Sequence, residues 1–192
     1  MRIKMTLLSD AVFGNGRSIP GQEDISVLFD EKGFPYLKGS TWKGIFREEL
    51  NNILLWNGRS EKEADGILTE LLGCSGDTRI SDDGKIRFSD LRIPDGVRAA
   101  VLSQEGIDPE ETKEAFSYIR TFTAIDVNGM TKAGSLRNCR CLKKGLVFYG
   151  EVDCPKESWQ MVEDVLGLIK WAGTLRSRGF GKVKMECVKE GK

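Results

Sequence analysis

Hydrophobic and polar residues alternate in several short segments of the chain, a pattern typical of half-buried β-strands. The clearest segments lie at the two ends and in the second half of the sequence. The pattern predicts strands at residues 2–8, 85–91, 115–125, 135–141, 146–152 and 179–188, and the apolar run 25–29 is a further short candidate.

Apolar residues at helical spacing predict three helices between these strands. The first starts at Gly39-Ser40-Thr41 with Ser40 as its N-cap and ends near Gly58. The second covers 61–72 and stops at Gly73, and the third follows Pro155. The predicted buried stripes are Trp42, Ile45, Phe46, Ile53 and Trp56 in the first helix, and Trp159, Val162, Val165, Leu166 and Ile169 in the third.

The order of these elements, without insertions, is strand, helix, strand, strand, helix, strand. This order is the split βαβ of an α+β, ferredoxin-like (RRM-like) fold. Such an antiparallel sheet carries both helices on one face and leaves the other open. We expect one domain over 1–192, with insertions near 58–84 (helical, ending in a turn at 82–84), 93–115 (acidic and irregular) and 126–145 (a hairpin).

Composition excludes several classes of catalyst. The 192 residues include no histidine, so a Ser-His-Asp triad, a Cys-His dyad and an HExxH zinc site are all excluded. The five cysteines form no CxxC pair, and we expect Cys139 and Cys141 to share one buried strand face. No apolar run is long enough to span a bilayer and no signal peptide opens the chain, so we expect a cytoplasmic protein.

Charge is unevenly distributed along a chain whose net charge is zero. Residues 127–150 and 171–185 contain no acid, whereas the acids gather between residues 61 and 114. A neutral total can therefore conceal one basic face. The cations of the two acid-free stretches are Lys132, Arg137, Arg140, Lys143, Lys144, Arg176, Arg178, Lys182 and Lys184.

Three basic segments are candidate phosphate-binding sites. The first-helix start offers free backbone N–H groups and hydroxyls, and the C-terminal stretch GTLRSRGFGKVKM (173–185) combines glycines, which allow close approach, with forked arginine donors. The third is the hairpin that contains Lys132 and Arg137. Each segment also suits a purely structural role, as a capped helix, a tight turn or a surface hairpin. The candidate residues are Lys38, Ser40, Thr41, Lys43, Arg47, Lys132, Arg137, Arg176, Arg178, Gly179, Gly181 and Lys182.

One carboxylate, Asp24, is a candidate for chemistry. It lies in the long polar loop after the first strand, with Glu23 and Asp10 as competing candidates. Without histidine, a carboxylate beside bound RNA is one way to hold a divalent metal (Mg²⁺ or Mn²⁺) or to activate a 2′-hydroxyl. A lone loop aspartate also suits a cap or a solvated side chain.

These segments, in this order, resemble the RAMP superfamily, and within it the backbone subunits of type III CRISPR effectors. The resemblance rests on PYLKGSTWKGIFR (35–47), on Ala124-Ile125-Asp126 with Ala133-Gly134-Ser135-Leu136, and on GTLRSRGFGKV (173–183). It implies a ferredoxin-like core whose copies stack along a guide RNA. It implies that the first-helix start and the C-terminal glycines contact the guide backbone, and that the hairpin is a thumb that wedges between nucleotides.

The resemblance also implies that Asp24 supports metal-dependent cleavage of target RNA. The expected partners are guide RNA, target RNA, other RAMP subunits and copies of the same chain, with no membrane. The alternatives are a non-catalytic structural RAMP subunit, a guide-processing endoribonuclease of the same superfamily, and a metabolic α+β domain without RNA. We expect the three basic segments to form one RNA-holding surface.

Overall fold

We describe the fold from a computed structural model, which defines residues 1–14, 16, 23–74, 84–124, 128–132 and 134–188. The strands are β1 (Arg2–Leu7), β2 (Tyr36–Leu37), β3 (Arg87–Phe88), β4 (Leu91–Arg92), β5 (Ser117–Phe122), β6 (Arg137–Leu142), β7 (Val147–Asp153) and β8 (Val183–Val188). The helices are α1 (Gly39–Trp56), α2 (Glu61–Leu72), α3 (Asp95–Leu102), α4 (Pro109–Phe116) and α5 (Trp159–Leu168), with 3₁₀ turns at Lys156–Ser158 and Arg176–Arg178.

The main sheet is antiparallel, with β1 between β7 and β8. β3 and β4 pair with the other side of β7, and β2 pairs with β4 at the sheet edge. Helices α1 and α2 precede β3 in the chain, and α5 connects β7 to β8. This is the strand order expected of a split βαβ unit. The predicted α+β class is confirmed.

The hydrophobic core lies between the main sheet and its helices. Ile3, Met5 and Leu7 of β1 are buried, whereas Arg2 and the residues alternating with it face the opposite side, as the two-residue period of a strand requires. Trp42 and Phe46 of α1 reach the same core and pack against Phe88. The helices therefore cover one face of the sheet and leave the other open.

A second, smaller core holds the β5–β6 hairpin against the domain. Its buried members are Val12, Cys139, Cys141 and Phe180. The predicted common buried face of Cys139 and Cys141 is confirmed. Burial raises the pKa of Cys141 to about 12, so this thiol is neutral and acts as a small hydrophobic side chain.

Helix α2 has the predicted bounds, and its start is fixed by a capping box between Ser60 and Glu63. Two details of the other helices correct the prediction. The N-cap of α1 is Lys38, not Ser40. The Lys38 side chain makes no capping hydrogen bond to the helix. Trp56 and Trp159, predicted to be buried, are 77% and 46% exposed because they lie at helix ends beyond the packed interface.

The segment 93–114, predicted to be irregular, contains most of two helices. Helix α4 begins with Pro109 after an Asp108 cap that pairs reciprocally with Glu111. These start signals are present in the sequence, but α4 buries little and α3 has no buried residue, so no apolar stripe marks them.

Several strand boundaries also differ from the prediction. The predicted strand 85–91 is interrupted at Ser89 and Asp90. The last strand begins at Val183 and not at 179, because Gly179 and Gly181 have left-handed backbone. The run 25–29 forms isolated bridges only. Residues 82–83 of the predicted turn, and Ile125, Asp126 and Ala133 of the hairpin signature, lie outside the described residues.

Within the described ranges, no helix combines the length and apolar content that a bilayer crossing requires.

Asp30 ties the turn before β2 to helix α3. Its carboxylate accepts the N–H groups of Lys32 and Phe34, both at 3.0 Å, and bonds Arg98 at 2.7 Å. Burial opposes ionisation, but these bonds outweigh it and hold the pKa of Asp30 below its usual value. The stabilisation is therefore present above the unfolded-state pKa and is lost as pH falls through the lower folded-state pKa.

We expect Asp30→Asn to lower the free energy of unfolding at pH 7 by about 1–3 kcal/mol and to flatten its decline toward acid pH. Urea denaturation from pH 7 to pH 3 measures both effects. Arg98→Met keeps an apolar stem over the Phe34 ring, and combining it with Asp30→Asn should cost less than the sum of the single changes. An Asp30→Asn profile parallel to that of the unmodified protein would contradict this role.

Candidate nucleic-acid interface

Part of the loop that follows β1 lies alongside strand β6 of the hairpin, joined to it by an isolated bridge. Ile25 forms a parallel bridge with Cys139, and the N–H of Arg140 donates to the Ile25 carbonyl at 3.0 Å. The N–H of Asp24 donates to the Asn138 carbonyl at 2.7 Å. These backbone bonds fix Asp24 at the side of β6.

The Asp24 carboxylate is held in place by the same strand. Its Oδ2 accepts the Asn138 N–H at 2.7 Å, and Oδ1 lies 3.4 Å from Nη1 of Arg137. The side chain is nevertheless 41% exposed, so solvent reaches the carboxylate. Asp24 is therefore an oriented and accessible acid.

The two competing carboxylates have structural partners. Glu23 is buried and pairs with Arg140, which also donates to the Ser117 hydroxyl at 3.1 Å. Asp10 accepts the Tyr118 hydroxyl at 2.6 Å and the Lys144 N–H at 2.8 Å. Both acids connect the hairpin to the domain and are less available to a ligand than Asp24.

A basic cavity of about 300 Å³ opens at the distal part of the hairpin. Its lining contains the predicted candidates Lys132, Arg137 and Arg178. All three of these residues are exposed. Arg137 also pairs with Asp24, so the carboxylate lies next to this cavity. The other lining residues are Phe122, Thr123, Ala124, Gly134 and Ser135.

Aromatic rings and arginines stack beside the cavity. Phe122 and Phe180 meet edge-on at 5.7 Å, with the Arg178 guanidinium 5.2 Å from the Phe122 ring. Arg120 lies 5.4 Å from Phe122 and 5.2 Å from Phe180. Such a cluster offers a ring for a base and forked donors for phosphates. Phe122 and Arg120 were not among the candidates predicted from the sequence, although both lie in the predicted strand 115–125.

The C-terminal stretch forms a turn whose glycines serve the protein's own packing. Gly173 and Gly181 have positive φ angles of 87° and 79°. A Cβ on Gly173 would collide with the Val12 carbonyl, and one on Gly181 with the Ala172 carbonyl. Gly181 is also buried. The backbone that approaches these two glycines is thus that of the chain itself, which corrects our explanation for them.

Gly179 differs from its neighbours because it is exposed and open. Its φ is 84°, but a Cβ there would meet nothing within 4 Å. Arg176 and Arg178 flank it as exposed side chains, and the Lys182 side chain is exposed as well. This turn keeps an accessible basic edge next to the hairpin.

The start of α1 lies elsewhere, at the β2 edge of the sheet. The Gly39 N–H donates to the Asp90 carboxylate at 3.0 Å, so an internal acid already accepts the first N–H of this helix. Arg47 donates to the carbonyl of Gly73, and Gly73 is the C-cap residue of α2. Lys38, Ser40 and Thr41 are exposed and Lys43 is half-buried.

Two of the three predicted basic segments therefore share one site. The hairpin and the C-terminal turn meet at Arg137 and Arg178, whereas the α1 start is separated from them by β4, β7 and β1 in the sheet order. Among the described residues, no group of three or more acids and cysteines could hold a metal ion. The donor set around Asp24 fits only a metal that takes most of its ligands from water and RNA.

The structure thus defines an α+β fold with a basic site on its hairpin. A family model of the RAMP superfamily matches residues 4–184, and the chain therefore belongs to the RAMP superfamily. A search of curated proteins found no match.

Solved structures with a similar fold include two chains of type III-B complexes. One is a chain of the type III-B Cmr-β complex bound to cognate target RNA, with a TM-score of 0.67, 14% identity and 98% of this chain covered. This chain spans 58% of the length of that one. The other belongs to the apo state of type III-B Cmr-β, with a TM-score of 0.70, 13% identity, and coverage of 98% and 97% of the two chains.

We expect Gly181→Ala to destabilise the protein far more than Gly179→Ala. Both positions have left-handed backbone, which costs an alanine about 1–2 kcal/mol, but only at Gly181 does the new Cβ meet a carbonyl oxygen. Gly181→Ala should therefore cost at least about 3 kcal/mol or prevent folding. Equal urea midpoints for the two variants would show that the close approach at Gly181 is unimportant.

Proposed function

We propose that the chain is an RNA-holding backbone subunit of a type III CRISPR effector complex. The observation that carries the proposal is the convergence of Lys132, Arg137 and Arg178 around Phe122, beside the oriented Asp24, in a member of the RAMP superfamily. The type III-B neighbour bound to cognate target RNA supports this choice of assembly. Its partners would be guide RNA, target RNA, other RAMP subunits and copies of itself.

In this role the chain binds RNA mainly through phosphates. Arg178 and Arg137 present forked donors, Lys132 adds a point charge, and Phe122 offers a ring on which any base can stack. None of these groups reads a base edge, so base pairing with the guide supplies the sequence recognition. The exposed side chains of Arg176 and Lys182 extend the same basic edge.

Cleavage of target RNA is the second part of the proposal. Asn138 and Arg137 orient the Asp24 carboxylate, and its exposed position lets it meet a strand held at the hairpin. A bound Mg²⁺ or Mn²⁺ would stabilise negative charge at the scissile phosphate. The contribution of the chain itself is a fixed carboxylate for that ion, and Arg137 close to the same phosphate.

The main alternative is a structural subunit that holds RNA without cutting it. The engagement of Asp24 by Asn138 and Arg137 favours this alternative, because the same bonds suit a purely structural acid. A guide-processing ribonuclease that relies on histidine is excluded by composition.

We expect Lys132→Ala combined with Arg178→Ala to weaken guide-RNA binding and to lower the slope of log K against log salt by about 1.4, at about 0.7 per lost phosphate contact. Fluorescence anisotropy at several salt concentrations measures both. The pair leaves Asp24 and Arg137 intact. Lys62→Ala with Lys156→Ala removes the same charge from exposed positions outside the hairpin and should change neither quantity. Equal slopes for the two double variants would contradict the proposed interface.

We expect Asp24→Asn and Asp24→Ala to lower target-RNA cleavage by about 100-fold or more in a reconstituted complex. Assembly and guide affinity should remain, because the Asp24 and Ile25 main-chain bonds to Asn138 persist. Single-turnover cleavage with Mg²⁺ or Mn²⁺ measures the effect, and native gels report assembly. Unchanged cleavage would remove the catalytic role and leave the structural alternative.

A further inference from the structure

Contacts with strand β6 hold the main chain on both sides of Asp24. On one side, Ile25 forms the isolated bridge to Cys139, and its carbonyl accepts the Arg140 N–H at 3.0 Å. On the other side, the Glu23 carboxylate pairs with the Arg140 guanidinium. Arg140 therefore contacts both neighbours of Asp24, one through its main chain and the other through its side chain.

The Glu23–Arg140 pair is fixed in turn by strand β5 and helix α4. The Arg140 guanidinium donates to the Ser117 hydroxyl at 3.1 Å, and this hydroxyl donates to the Lys113 carbonyl at 2.6 Å. Ser117 is buried, and the side chains of Glu23 and Arg140 are only 3% and 12% exposed. A chain of buried polar contacts thus runs from the last turn of α4 across the hairpin to the residue that precedes Asp24.

This pair leaves one polar atom without a partner. Glu23 Oε1 binds Arg140, but the buried Oε2 has no hydrogen-bond partner within the part of the chain that the structure describes. A buried oxygen without a partner opposes folding, and apolar side chains of similar volume often replace a buried ion pair without loss of stability. Natural proteins keep such exceptions chiefly at functional sites. Stability alone therefore does not explain a charged pair at this position.

We propose that Glu23 and Arg140 are positioning residues, which hold the Asp24 carboxylate in the place where a divalent metal ion uses it. The inference rests on the cleavage proposed above for Asp24. Without the pair, the main chain before Asp24 loses its anchor on β6, and the carboxylate is free to turn away from the Asn138 N–H. Glu23 and Arg140 contact neither the metal ion nor RNA in this role, because both side chains are buried.

The test replaces the pair by Glu23→Met together with Arg140→Met in the full chain. The changes are combined because either one alone leaves an uncompensated buried charge, which can unfold the protein for a reason unrelated to position. The double variant should keep its melting temperature to within about 4 °C. This measurement establishes that the variant is folded before its site is compared with that of the unmodified chain.

Amide hydrogen exchange in the free chain reports the position of Asp24 without any cleavage. The Asn138 N–H, which donates to the Asp24 carboxylate, should exchange about tenfold faster in the double variant. The Leu142 N–H in the same strand donates to the Ala11 carbonyl and should keep its rate. An unchanged rate at Asn138, or an equal acceleration at Leu142, would overturn the proposal, since the pair would then hold nothing or only the hairpin as a whole.

A matched control removes a second ion pair that lies away from the hairpin. Asp30 and Arg98 have side chains that are 17% and 22% exposed, and they join the turn before β2 to α3. Asp30→Asn with Arg98→Met should not raise the exchange rate of Asn138 relative to that of Leu142. A rise as large as in the Glu23 and Arg140 variant would show that loss of any ion pair has this effect, and would overturn the proposal.

Cleavage in a reconstituted complex supplies the second readout. The Glu23→Met and Arg140→Met variant should need about 10- to 100-fold more Mg²⁺ for half-maximal cleavage, as for residues that orient a metal ligand, with an unchanged KM for target RNA. An unaltered Mg²⁺ requirement, where Asp24→Asn abolishes cleavage, would overturn the positioning role. Unchanged cleavage after Asp24→Asn would instead refute the proposed cleavage itself, and the two failures are therefore distinguishable.

Discussion

The candidate site depends on the docking of the loop after β1 against strand β6. Backbone bonds from Asp24 and Arg140, together with the buried pair between Glu23 and Arg140, give this loop one register on the hairpin. A buried ion pair adds little net stability. Any other position of the loop would leave the charge of Glu23 or Arg140 buried without a partner, so the pair favours this one position of the loop. The exposure of Asp24 and its contact with Arg137 both follow from that register.

Charge separation lets a chain with no net charge present basic surfaces. Several acids are engaged in contacts within the protein. Asp10 and Glu23 bind residues of the hairpin, Asp30 binds Arg98 of α3, and Asp90 accepts the first N–H of α1. Cations such as Lys132 and Arg178 have no acid near them in sequence and reach solvent. The hairpin therefore presents exposed cations although the total charge is zero.

Glycine in the C-terminal turn illustrates how one residue type serves two purposes. Gly173 and Gly181 admit neighbouring protein backbone, which packs the turn against Val12 and Ala172. Gly179 admits nothing of the protein and stays on the surface between Arg178 and the strand. Sequence spacing alone does not distinguish these cases, since all three glycines have the same left-handed backbone requirement.

The sequence by itself determined the α+β class, the bounds of α2, the buried positions Val162, Val165 and Leu166 of α5 and the absence of histidine chemistry, because each follows from local periodicity, capping or composition. Only the tertiary structure decided that Asp90 caps α1, that Arg47 binds Gly73, and that Arg178 joins the hairpin cavity. Likewise, Tyr36 and Tyr149 lie far apart in the chain, and strand pairing aligns them on one face. Long-range register sets such contacts, and no local pattern encodes which strand lies beside which.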